Sequence, residues 1–576
     1  MARSASAVLT LALAGVGAGL AGCSSRTNVS ATGNTPASYS HVYVTAQAVW
    51  FNASAGAGPD DGGWVKFPLS TPVTVDLVAD SGGNFATLVT ALKLAPGSYA
   101  QLRLIPLDAS APLASSARTL GAAYNMEADY LDGSGVTHQQ PLELLNPDKG
   151  LGIRASLSVR LGNIGAALAA VNSPATATPT ASFGVAGTTT SPTTAPGTTA
   201  TGTTTTGTTT TAQFAVLFDA ARDLTPFTYA GASAILLNPH ENAYDLSLSG
   251  GIQGQLTLTN LTGIDGASGL PDIQVSAEAL TADGSRHFLV ASAPVSSDGS
   301  FTLYPLASNA SNPTSYDLVI HGPGIATIII KSIPIPLASR AAGAGAPTGT
   351  TNGTTTTGPT PVQPANLVSV GTLIPRTASS YSANITTAAT APLPAGAEVA
   401  FYQTLPSAGE VPYVIAASPI DPFSQVLAAA RSLSTGTVDS GTYVASGATV
   451  TVVSAAPREG AGGYQVAATA PLYADGLLGT TVAPTSAGAT TATPPTLGTL
   501  ALAAGNSPAS VTASVHPSGA GKYDHGELML SRNGQLIASA PIDAALTAGG
   551  GTVQLAGVPG GTPTSVYYVS VRAWSS

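Results

Sequence analysis

Charged side chains are scarce in this chain. Of its 576 residues, 19 are Lys or Arg and 29 are Asp or Glu, so charged residues make up 8% of the sequence, against roughly 25% in an average globular domain. The net charge is −10, and so few cations cannot form the dense basic surface with which proteins neutralise nucleic-acid phosphates. The composition therefore argues against nucleic acid as a partner.

Cysteine and large aromatic residues are also few. Cys23 is the only cysteine, so no disulfide can form within a monomer. The sequence has 3 Trp and 11 Phe beside 64 Gly and 43 Pro, a composition typical of many short strands and turns. Large aromatic-lined pockets are not expected, and we predict no cofactor.

Motifs that carry enzyme chemistry are missing as well. The sequence has no Walker-type loop ending in Lys-Ser or Lys-Thr, no His-Glu-x-x-His and no Gly-x-Ser-x-Gly. Residues 17–22 fit the Gly-x-Gly-x-x-Gly spacing, but no strand precedes them and they lie in the leader described below. We therefore expect no catalytic residue and no enzyme activity.

The seven histidines are scattered along the chain. They are His41, His138, His240, His287, His321, His516 and His525. His240 is adjacent to Glu241, so on a strand the two side chains would face opposite ways. His516 and His525 lie around a Gly-rich turn together with Asp524 and Glu527, where the polarity of a surface loop explains them better than a metal does. We predict no metal site.

A short leader opens the chain. Arg3 is followed by an uncharged apolar stretch from Ala5 to Ala21, and Gly22 then leads into Cys23, which is the plan of a secretory signal peptide. The stretch is short and rich in Ala and Gly, whereas a membrane-spanning helix needs about 20 strongly apolar residues. We predict a cleaved signal peptide over residues 1–22.

The end of this leader, Leu20-Ala21-Gly22-Cys23, resembles the lipobox of bacterial lipoproteins. The resemblance implies that the Cys23 thiol receives a lipid, that the bond before it is cut and that the new N-terminus is acylated, for example with palmitate. Two or three acyl chains exceed the marginal binding of a single one, so a membrane is the expected partner. Ser24 stands where inner-membrane lipoproteins carry Asp, which favours the outer membrane of the cell envelope.

Alternating apolar and polar residues, interrupted by Gly and Pro, predict a mainly β chain with several β-sandwich domains. In the first strand of the N-terminal domain, for example, Val42, Val44, Ala46 and Ala48 alternate with more polar residues. Stretches rich in Thr, Pro and Gly predict disordered linkers between them. The expected map is a tether over 23–40, an N-terminal β domain over 41–250 with a Thr-rich insertion over 172–212, a β-sandwich over 251–340, a linker over 341–365, a β-sandwich over 366–484 and another over 497–576.

Several short motifs follow one another along the N-terminal domain. They are Gly63-Trp64-Val65, Val75-Asp76-Leu77, the Pro-Gly-x-Tyr-x-Gln-x-Arg-Leu line from Pro96 to Leu104, Phe218-Asp219-Ala220 and Leu237-Asn238-Pro239. Their order and spacing over about residues 40–250 resemble a bacterial lipoprotein domain called domain of unknown function 4382. The resemblance implies a location and a β fold, and it brings no catalytic residue.

The next domain opens with Ile252-Gln253-Gly254 and contains the turn Asp298-Gly299-Ser300-Phe301. These features are similar to those of transthyretin-like sandwiches of the carboxypeptidase-regulatory type. This second resemblance implies a small β-sandwich, again without catalytic residues.

Together these patterns predict a lipid-anchored, non-enzymatic protein of the bacterial cell envelope that presents β-sandwich modules for binding or adhesion, with a glycan or protein ligand left open. One alternative is a carbohydrate-binding accessory protein, in which Trp50 or Trp64 is exposed beside a groove; core positions for these two and Trp574 are the competing interpretation. A second alternative is an atypical hydrolase, which requires His and carboxylate side chains from distant strands to converge.

Overall fold

The computed structural model describes residues 26–35, 39–55, 57–95, 97–131, 136–144, 151–159, 211–229, 232–237, 242–257, 273–281, 284–308, 314–322, 324–335, 364, 366–378, 380–389, 398–405, 409–419, 431–434, 438–444, 453–455, 464–469, 476–482, 496–502, 509–515, 525–532, 535–558 and 568–574. Over these ranges the protein is mainly β, which confirms the predicted fold class. The predicted signal peptide, Cys23, most of the Thr-rich insertion, nearly all of the linker, His240 and His516 lie outside the described residues.

The N-terminal unit runs from the first strand to residue 248. Its elements are β1 (Arg26–Asn34), β2 (Tyr39–Asn52), β3 (Val65–Asp76), β4 (Ala86–Leu92), β5 (Gly97–Pro106), α1 (Ser115–Leu120), β6 (Met126–Leu131), β7 (Thr137–Glu143), β8 (Leu151–Val159), β9 (Thr211–Asp219), α2 (Ala220–Asp223), β10 (Leu224–Tyr229), β11 (Ala232–Leu237), β12 (Asn242–Asp245) and a 3-10 turn (Leu246–Leu248).

These strands form two sheets. One has the order β12-β9-β1-β4, and the other has the order β10-β11-β7-β6-β2-β5-β8, with β3 also paired to β2. The core between them follows the predicted alternation, since Val42, Val44 and Ala46 of β2 are buried in it. A bulge between Ala46 and Ala48 shifts the register of β2, so that beyond it Val49 and Phe51 face the core.

The tether predicted over residues 23–40 is wrong, because β1 occupies most of that range. β1 pairs in parallel with β9 and antiparallel with β4, and Val29 is fully buried. The segment looked like a tether because it is polar, yet its polar side chains have partners in the fold: the Thr32 hydroxyl donates to the carbonyl of Asp80 at 2.9 Å and the Thr35 hydroxyl donates to that of Leu77 at 2.9 Å.

A second unit follows without a gap. Its strands are β13 (Ser249–Leu256), β14 (Gln274–Leu280), β15 (His287–Pro294), β16 (Ser300–Ala307), β17 (Thr314–His321), β18 (Thr327–Ile335) and β19 (Leu367–Leu373). One sheet has the order β16-β13-β19, and β15-β14-β17-β18 form the body of the other. Leu217 and Tyr244 of the N-terminal unit belong to the same buried cluster as Ile252 and Leu303. The predicted boundary at residue 250 is therefore crossed by a continuous core.

The C-terminal elements are β20 (Ser380–Ala389), β21 (Glu398–Gln403), β22 (Tyr413–Pro419), β23 (Arg431–Ser434), β24 (Val438–Thr442), β25 (Val453–Ala455), β26 (Tyr464–Thr469), β27 (Gly476–Val482), β28 (Thr496–Leu502), β29 (Ala509–Val515), β30 (His525–Arg532), β31 (Gln535–Pro541), α3 (Asp543–Thr547), β32 (Gly551–Val558) and β33 (Tyr568–Trp574). Among the described residues, no helix is both long and apolar enough to cross a bilayer.

Strand pairing does not respect the predicted limits of the C-terminal sandwiches. β19 and β24, both inside the predicted sandwich over 366–484, pair in parallel with β13 and β18 of the second unit. β28 begins at Thr496 and pairs in parallel with β20, so the predicted sandwich over 497–576 is joined to the one before it. Likewise β9 begins at Thr211, inside the range predicted as an insertion. The sequence pattern predicted where strands occur, but it could not predict which strands pair in parallel with one another.

Candidate functional site

A group of ionisable side chains lies on the side of β2 that faces away from the main core of the N-terminal unit. Because residues alternate along a strand, His41 and Tyr43 face away from the core that contains Val42 and Val44. Glu127 and Asp129 of the paired strand β6 lie opposite Tyr43 and His41. We call His41, Tyr43, Asp76, Glu127 and Asp129 the β2 polar face.

His41 and Asp76 form a hydrogen-bonded pair at this face. The distance between His41 Nδ1 and Asp76 Oδ2 is 2.7 Å, and the His41 side chain is 47% exposed whereas that of Asp76 is 10% exposed. The other oxygen of Asp76 accepts hydrogen bonds from the backbone N–H groups of Val42 and Val78, at 3.2 and 3.1 Å. The imidazole stacks on the ring of Tyr43, with 5.2 Å between the centroids. Asp76 thus fixes the orientation of an exposed imidazole.

Glu127 and Asp129 are two buried carboxyl groups on the same side of β6. Burial raises the pKa of Glu127 to about 7, and its hydrogen bond with Asp129 raises it as well, while the N–H groups of Tyr124 and Ala123 oppose the shift. Burial also raises the pKa of Tyr43 to about 12, with a further contribution from the negative charges of Asp76, Asp129 and Glu127. Glu127 therefore exchanges a proton near neutral pH, and Tyr43 stays protonated.

The β2 polar face has part of the geometry of a general base. In hydrolases with a catalytic triad, a carboxylate orients one imidazole nitrogen and the other nitrogen activates a hydroxyl or thiol. Asp76 holds Nδ1 of His41, but no hydroxyl or thiol of a described residue hydrogen-bonds to this imidazole. Within the described residues, the hydrolase alternative therefore has a His–carboxylate pair without a hydrogen-bonded nucleophile.

The two tryptophans named by the carbohydrate alternative come together on the outer side of the β2–β3 hairpin. The ring centroids of Trp50 and Trp64 are 5.9 Å apart at an angle of 56°, and both side chains are half-buried. The ammonium group of Lys66 lies 3.9 Å from the centroid of the Trp50 ring. Trp64 donates from Nε1 to the carbonyl of Gly58 at 2.8 Å. A flat, open stacking surface for a sugar is not formed, because Lys66 covers Trp50 and the two rings are tilted.

Buried polar side chains connect the N-terminal unit to the second unit. The amide of Asn34, at the end of β1, donates to Oδ1 of Asp219 at 2.9 Å and also to the hydroxyl of Ser292 in β15. Ser292 in turn donates to Asp219, at 3.2 Å from Oδ1. All three residues are buried. Asp219 lies in one of the sequence motifs, and its role is to hold two units together.

A bidentate ion pair extends this connection to the C-terminal strands. Arg222 of α2 donates from Nε and Nη2 to the two oxygens of Glu398 in β21, each at 2.9 Å. The side chains are 15% and 13% exposed. Burial lowers the pKa of Arg222, but the carboxylates of Glu398, Asp219 and Asp223 raise it by more, so the net shift in its pKa is upward. The Arg222 guanidinium is thus bonded to Glu398 and also attracted by Asp219 and Asp223 of its own unit.

A third buried group joins the second unit to β22. His287 stacks on Tyr413 with 3.7 Å between the ring centroids, and Nε2 of His287 lies 3.2 Å from Oδ2 of Asp317. The Tyr413 hydroxyl donates to the same oxygen at 2.8 Å. Glu278 is fully buried and accepts the N–H of Val414 at 3.0 Å. Burial raises the pKa of Glu278 well above its ordinary value.

This buried group around His287 was missed by sequence reasoning because its members lie on distant strands. His287 and Tyr413 are both almost fully buried, so a substrate cannot reach the second His–Asp pair as it stands. No cluster of three or more His, Cys, Asp or Glu side chains suited to a metal occurs in the described ranges. His138 stacks on Tyr130 at 5.3 Å, and His525 lies in β30. In the described residues, groups of buried polar side chains thus lie at the junctions between units. The His41–Asp76 pair is different, because its imidazole is half-exposed.

Comparison with known proteins assigns a family to part of the chain. Residues 25–239 match the family described as Domain of unknown function (DUF4382). The resemblance noted for the N-terminal domain is thus confirmed, with its start moved from about residue 40 to residue 25, where β1 is about to begin. No curated protein matches the chain significantly. The transthyretin-like character of the second unit stays a prediction.

Two solved structures show a weak likeness. Both are of the shaft pilin SpaA from Lactobacillus rhamnosus GG, one of them a double mutant, with sequence identities of 12% and 11%. Each alignment covers 45% of this chain and 98% of the pilin chain, with a TM-score of 0.12. A TM-score this low carries no argument about fold or function.

Proposed function

We propose that this chain is a lipid-anchored protein of the bacterial cell envelope that presents its β units for binding or adhesion and has no enzyme activity. One observation carries the proposal. Leu20-Ala21-Gly22-Cys23 has the lipobox pattern, and the match to the DUF4382 family begins at residue 25. The lipobox pattern and the start of the matched domain are thus adjacent in the sequence, which supports a folded domain held close to a lipid anchor.

The anchor would be strong. Each buried methylene of an acyl chain contributes about 0.8 kcal/mol, and two or more chains are needed for stable attachment. The mature chain has no Arg3 and keeps its 29 acidic residues against 18 basic ones, the 19 of the full sequence less Arg3. Its net charge therefore gives no general attraction to anionic lipid, so the acyl chains have to hold the protein at the membrane.

The contacts between units suit a presenting role. Asn34–Asp219–Ser292, Arg222–Glu398 and His287–Asp317 are buried or largely buried polar contacts that each bridge distant parts of the chain. Buried hydrogen-bonded networks favour one arrangement of the elements they join. We therefore infer that the N-terminal and second units move together and carry the C-terminal strands at a fixed distance from the membrane.

The non-enzymatic part of the proposal rests on the sequence, which lacks the Walker-type, His-Glu-x-x-His and Gly-x-Ser-x-Gly motifs. His41, whose imidazole is oriented by Asp76, is the side chain at which this part is tested. The carbohydrate alternative has less support than at the level of sequence, because Trp50 is covered by Lys66. Neither alternative has an observation that favours it over presentation of the units.

The anchor is tested by replacing the lipidated residue. We expect the wild-type chain to be labelled by an alkyne analogue of palmitate in growing bacteria and to sediment with membranes, and the Cys23→Ala variant to lose both properties. Ser24→Ala is the matched control and should behave like the wild type. Release of the wild type into the aqueous phase, without label, would refute the anchor.

Adhesion is tested on intact cells. If the units face the exterior, added protease removes the C-terminal strands from intact cells; if they face the periplasm, removal requires a permeabilised outer membrane. Catalysis is tested separately with broad panels of ester, phosphate and glycoside substrates. A turnover that is abolished by His41→Gln would contradict the non-enzymatic assignment.

A further inference from the structure

The first strand of the N-terminal unit begins almost directly after the predicted lipid attachment. Only Ser24 and Ser25 separate Cys23 from Arg26, the first residue of β1. An extended chain spans at most about 3.6 Å per residue, so three steps reach about 11 Å. The start of β1 must therefore lie within the headgroup layer or directly beside it once Cys23 carries acyl chains.

Strand pairing identifies which other segments share this end of the unit. Thr27 of β1 is paired with Leu92 at the end of β4, and β5 begins at Gly97, a few residues later. Lys93 lies between them and is exposed. The start of β1, the end of β4 and the start of β5 are thus neighbours. We call this end of the N-terminal unit the anchor end.

The tip of the β2–β3 hairpin lies at the same end. Phe51, next to last in β2, packs against Phe214 with 6.2 Å between the ring centroids. Phe214 is paired with Val29, which is only three residues into β1. The hairpin tip that follows Asn52 is therefore level with the first residues of β1.

The anchor end carries exposed cations and a half-buried tryptophan. Arg26, Lys66 and Lys93 are exposed, and Trp64 is half-buried. Neither Arg26 nor Lys93 forms an ion pair with a described residue. The hairpin tip also carries exposed acids, Asp60 and Asp61, of which Asp61 accepts the N–H of Gly58 at 2.7 Å.

We propose that the anchor end of the N-terminal unit, with Arg26, Lys93 and the β2–β3 hairpin tip, rests on the anionic headgroups of the bilayer that holds the acyl chains. This inference depends on the proposed function, because it requires acylated Cys23. Lys and Arg are attracted to anionic lipid surfaces, and Trp favours the interface between headgroups and water. The short connection between Cys23 and Arg26 keeps the N-terminal unit close to the bilayer, and these side chains determine which of its surfaces faces the membrane.

The test uses the chain's lack of other cysteines. When Cys23 is acylated, a cysteine introduced by Lys93→Cys is the only free thiol and takes an environment-sensitive fluorophore at that position alone. The control is Arg118→Cys, also an exposed cation. Its helix α1 lies at the other end of the unit, since Leu120 accepts a hydrogen bond from Tyr43 at 3.1 Å, and Tyr43 is nine residues before Asn52, about 30 Å along β2.

The acylated full-length protein is reconstituted in vesicles of phosphatidylcholine and phosphatidylglycerol that contain a lipid with a shallow spin-label quencher. We expect the fluorophore at position 93 to lose most of its emission and the one at position 118 to lose none. Reversing the charges with Arg26→Glu in a Val65→Cys background should weaken quenching at position 65, whereas Arg118→Glu in that background should not. Each cation near such a surface strengthens binding about fivefold, so the effect should fade at high salt.

The outcomes distinguish a wrong resting surface from a wrong lipoprotein assignment. If mass spectrometry shows acylated Cys23 and positions 93 and 118 are quenched equally or not at all, the resting surface is wrong and the lipoprotein assignment stands. If Cys23 is not acylated, the proposed function fails and this inference fails with it. Strong quenching at position 93 alone supports both.

Discussion

The ion pair between Arg222 and Glu398 gives the sharpest prediction for the contacts between units. Replacing Arg222 with Met removes the cation that compensates Glu398, Asp219 and Asp223. Replacing Glu398 with Gln removes one of these three carboxylates and leaves Arg222 near the other two. The two substitutions should therefore destabilise the junction unequally, although each breaks the same bidentate contact.

The burial of the pair sets the size of the effect. Both side chains are less than one-sixth exposed, at 15% and 13%. Removing one partner of a buried pair costs about 3–5 kcal/mol, because a buried charge is left uncompensated. We expect a loss of about 3 kcal/mol for Arg222→Met. For Glu398→Gln we expect about 1.5 kcal/mol, the lower range for hydrogen bonds to charged groups.

The assay has to report local stability, since a chain of several units does not unfold in a single two-state step. Hydrogen exchange measured by mass spectrometry on peptides from β9 and β21 gives the opening free energy on each side of the junction. Lys331→Met is the control, because its ion pair with Glu410 is more exposed, with Lys331 at 31%, and should matter by less than about 1 kcal/mol.

A double substitution completes the test. With Arg222→Met and Glu398→Gln together, the loss should be smaller than the sum of the two single losses by about 1–2 kcal/mol, as is found for residues in direct contact. Equal losses for the single variants would contradict the contribution of Asp219 and Asp223, and unchanged exchange rates in β9 and β21 would refute the claim that this pair joins the units.

Glu127, Gly33 and Tyr413 give three further predictions. The pKa of Glu127 is raised from 4.5 to about 7, so between these pH values the folded state binds more protons than the unfolded state. The free energy of unfolding should therefore fall as pH rises through this range, by at most about 3 kcal/mol. In urea unfolding measured across this pH range, Glu127→Gln should remove most of the pH dependence. Gly33→Ala should prevent folding of the N-terminal unit or destabilise it by at least about 3 kcal/mol, since a Cβ would overlap the backbone oxygen of Leu77; a circular dichroism spectrum and melting temperature equal to those of the wild type would contradict this. Tyr413→Phe keeps the stacking on His287 but removes the donor to Asp317, and should lower the local opening free energy of β22 by about 1.5 kcal/mol; hydrogen exchange in β17 and β22 would reveal it, and unchanged exchange would argue against the contact.

The alternation of apolar residues predicted the core of the N-terminal unit well. Val42, Val44 and Ala46 are buried where the pattern placed them, because side chains on a strand face opposite sides in turn. The pattern continued through Ala48, whereas the β-bulge there changes which residues face inward. A bulge depends on the partner strands, so a single-strand pattern does not reveal it.

Polar composition misled the prediction at β1. Thr32, Asn34 and Thr35 are buried although their side chains are polar, because each finds a hydrogen-bond partner far along the chain, such as Asp219 for Asn34. Partners separated by so many residues cannot be read from local composition. The same limit hid the Asp317–Tyr413 contact and the parallel pairing of β18 with β24.

The motif residues were informative in a different way. Trp64, Asp76 and Asp219 belong to the motifs that carry the family resemblance, and each has a specific hydrogen-bonding role in the fold: Trp64 donates to Gly58, Asp76 orients His41 and Asp219 joins the units. Sequence alone indicated that these positions matter. It could not distinguish a role in structure from a role in binding, since that distinction depends on burial and on neighbours from other strands.

The central claim is that Cys23 is the mature N-terminus and carries acyl chains. Mass spectrometry of the N-terminal peptide of the protein purified from its bacterial membranes tests this directly. We expect a peptide that begins at Cys23 and is heavier by a diacylglyceryl group and a further fatty acid. A peptide with an unmodified thiol at Cys23, or one that begins elsewhere, would contradict it.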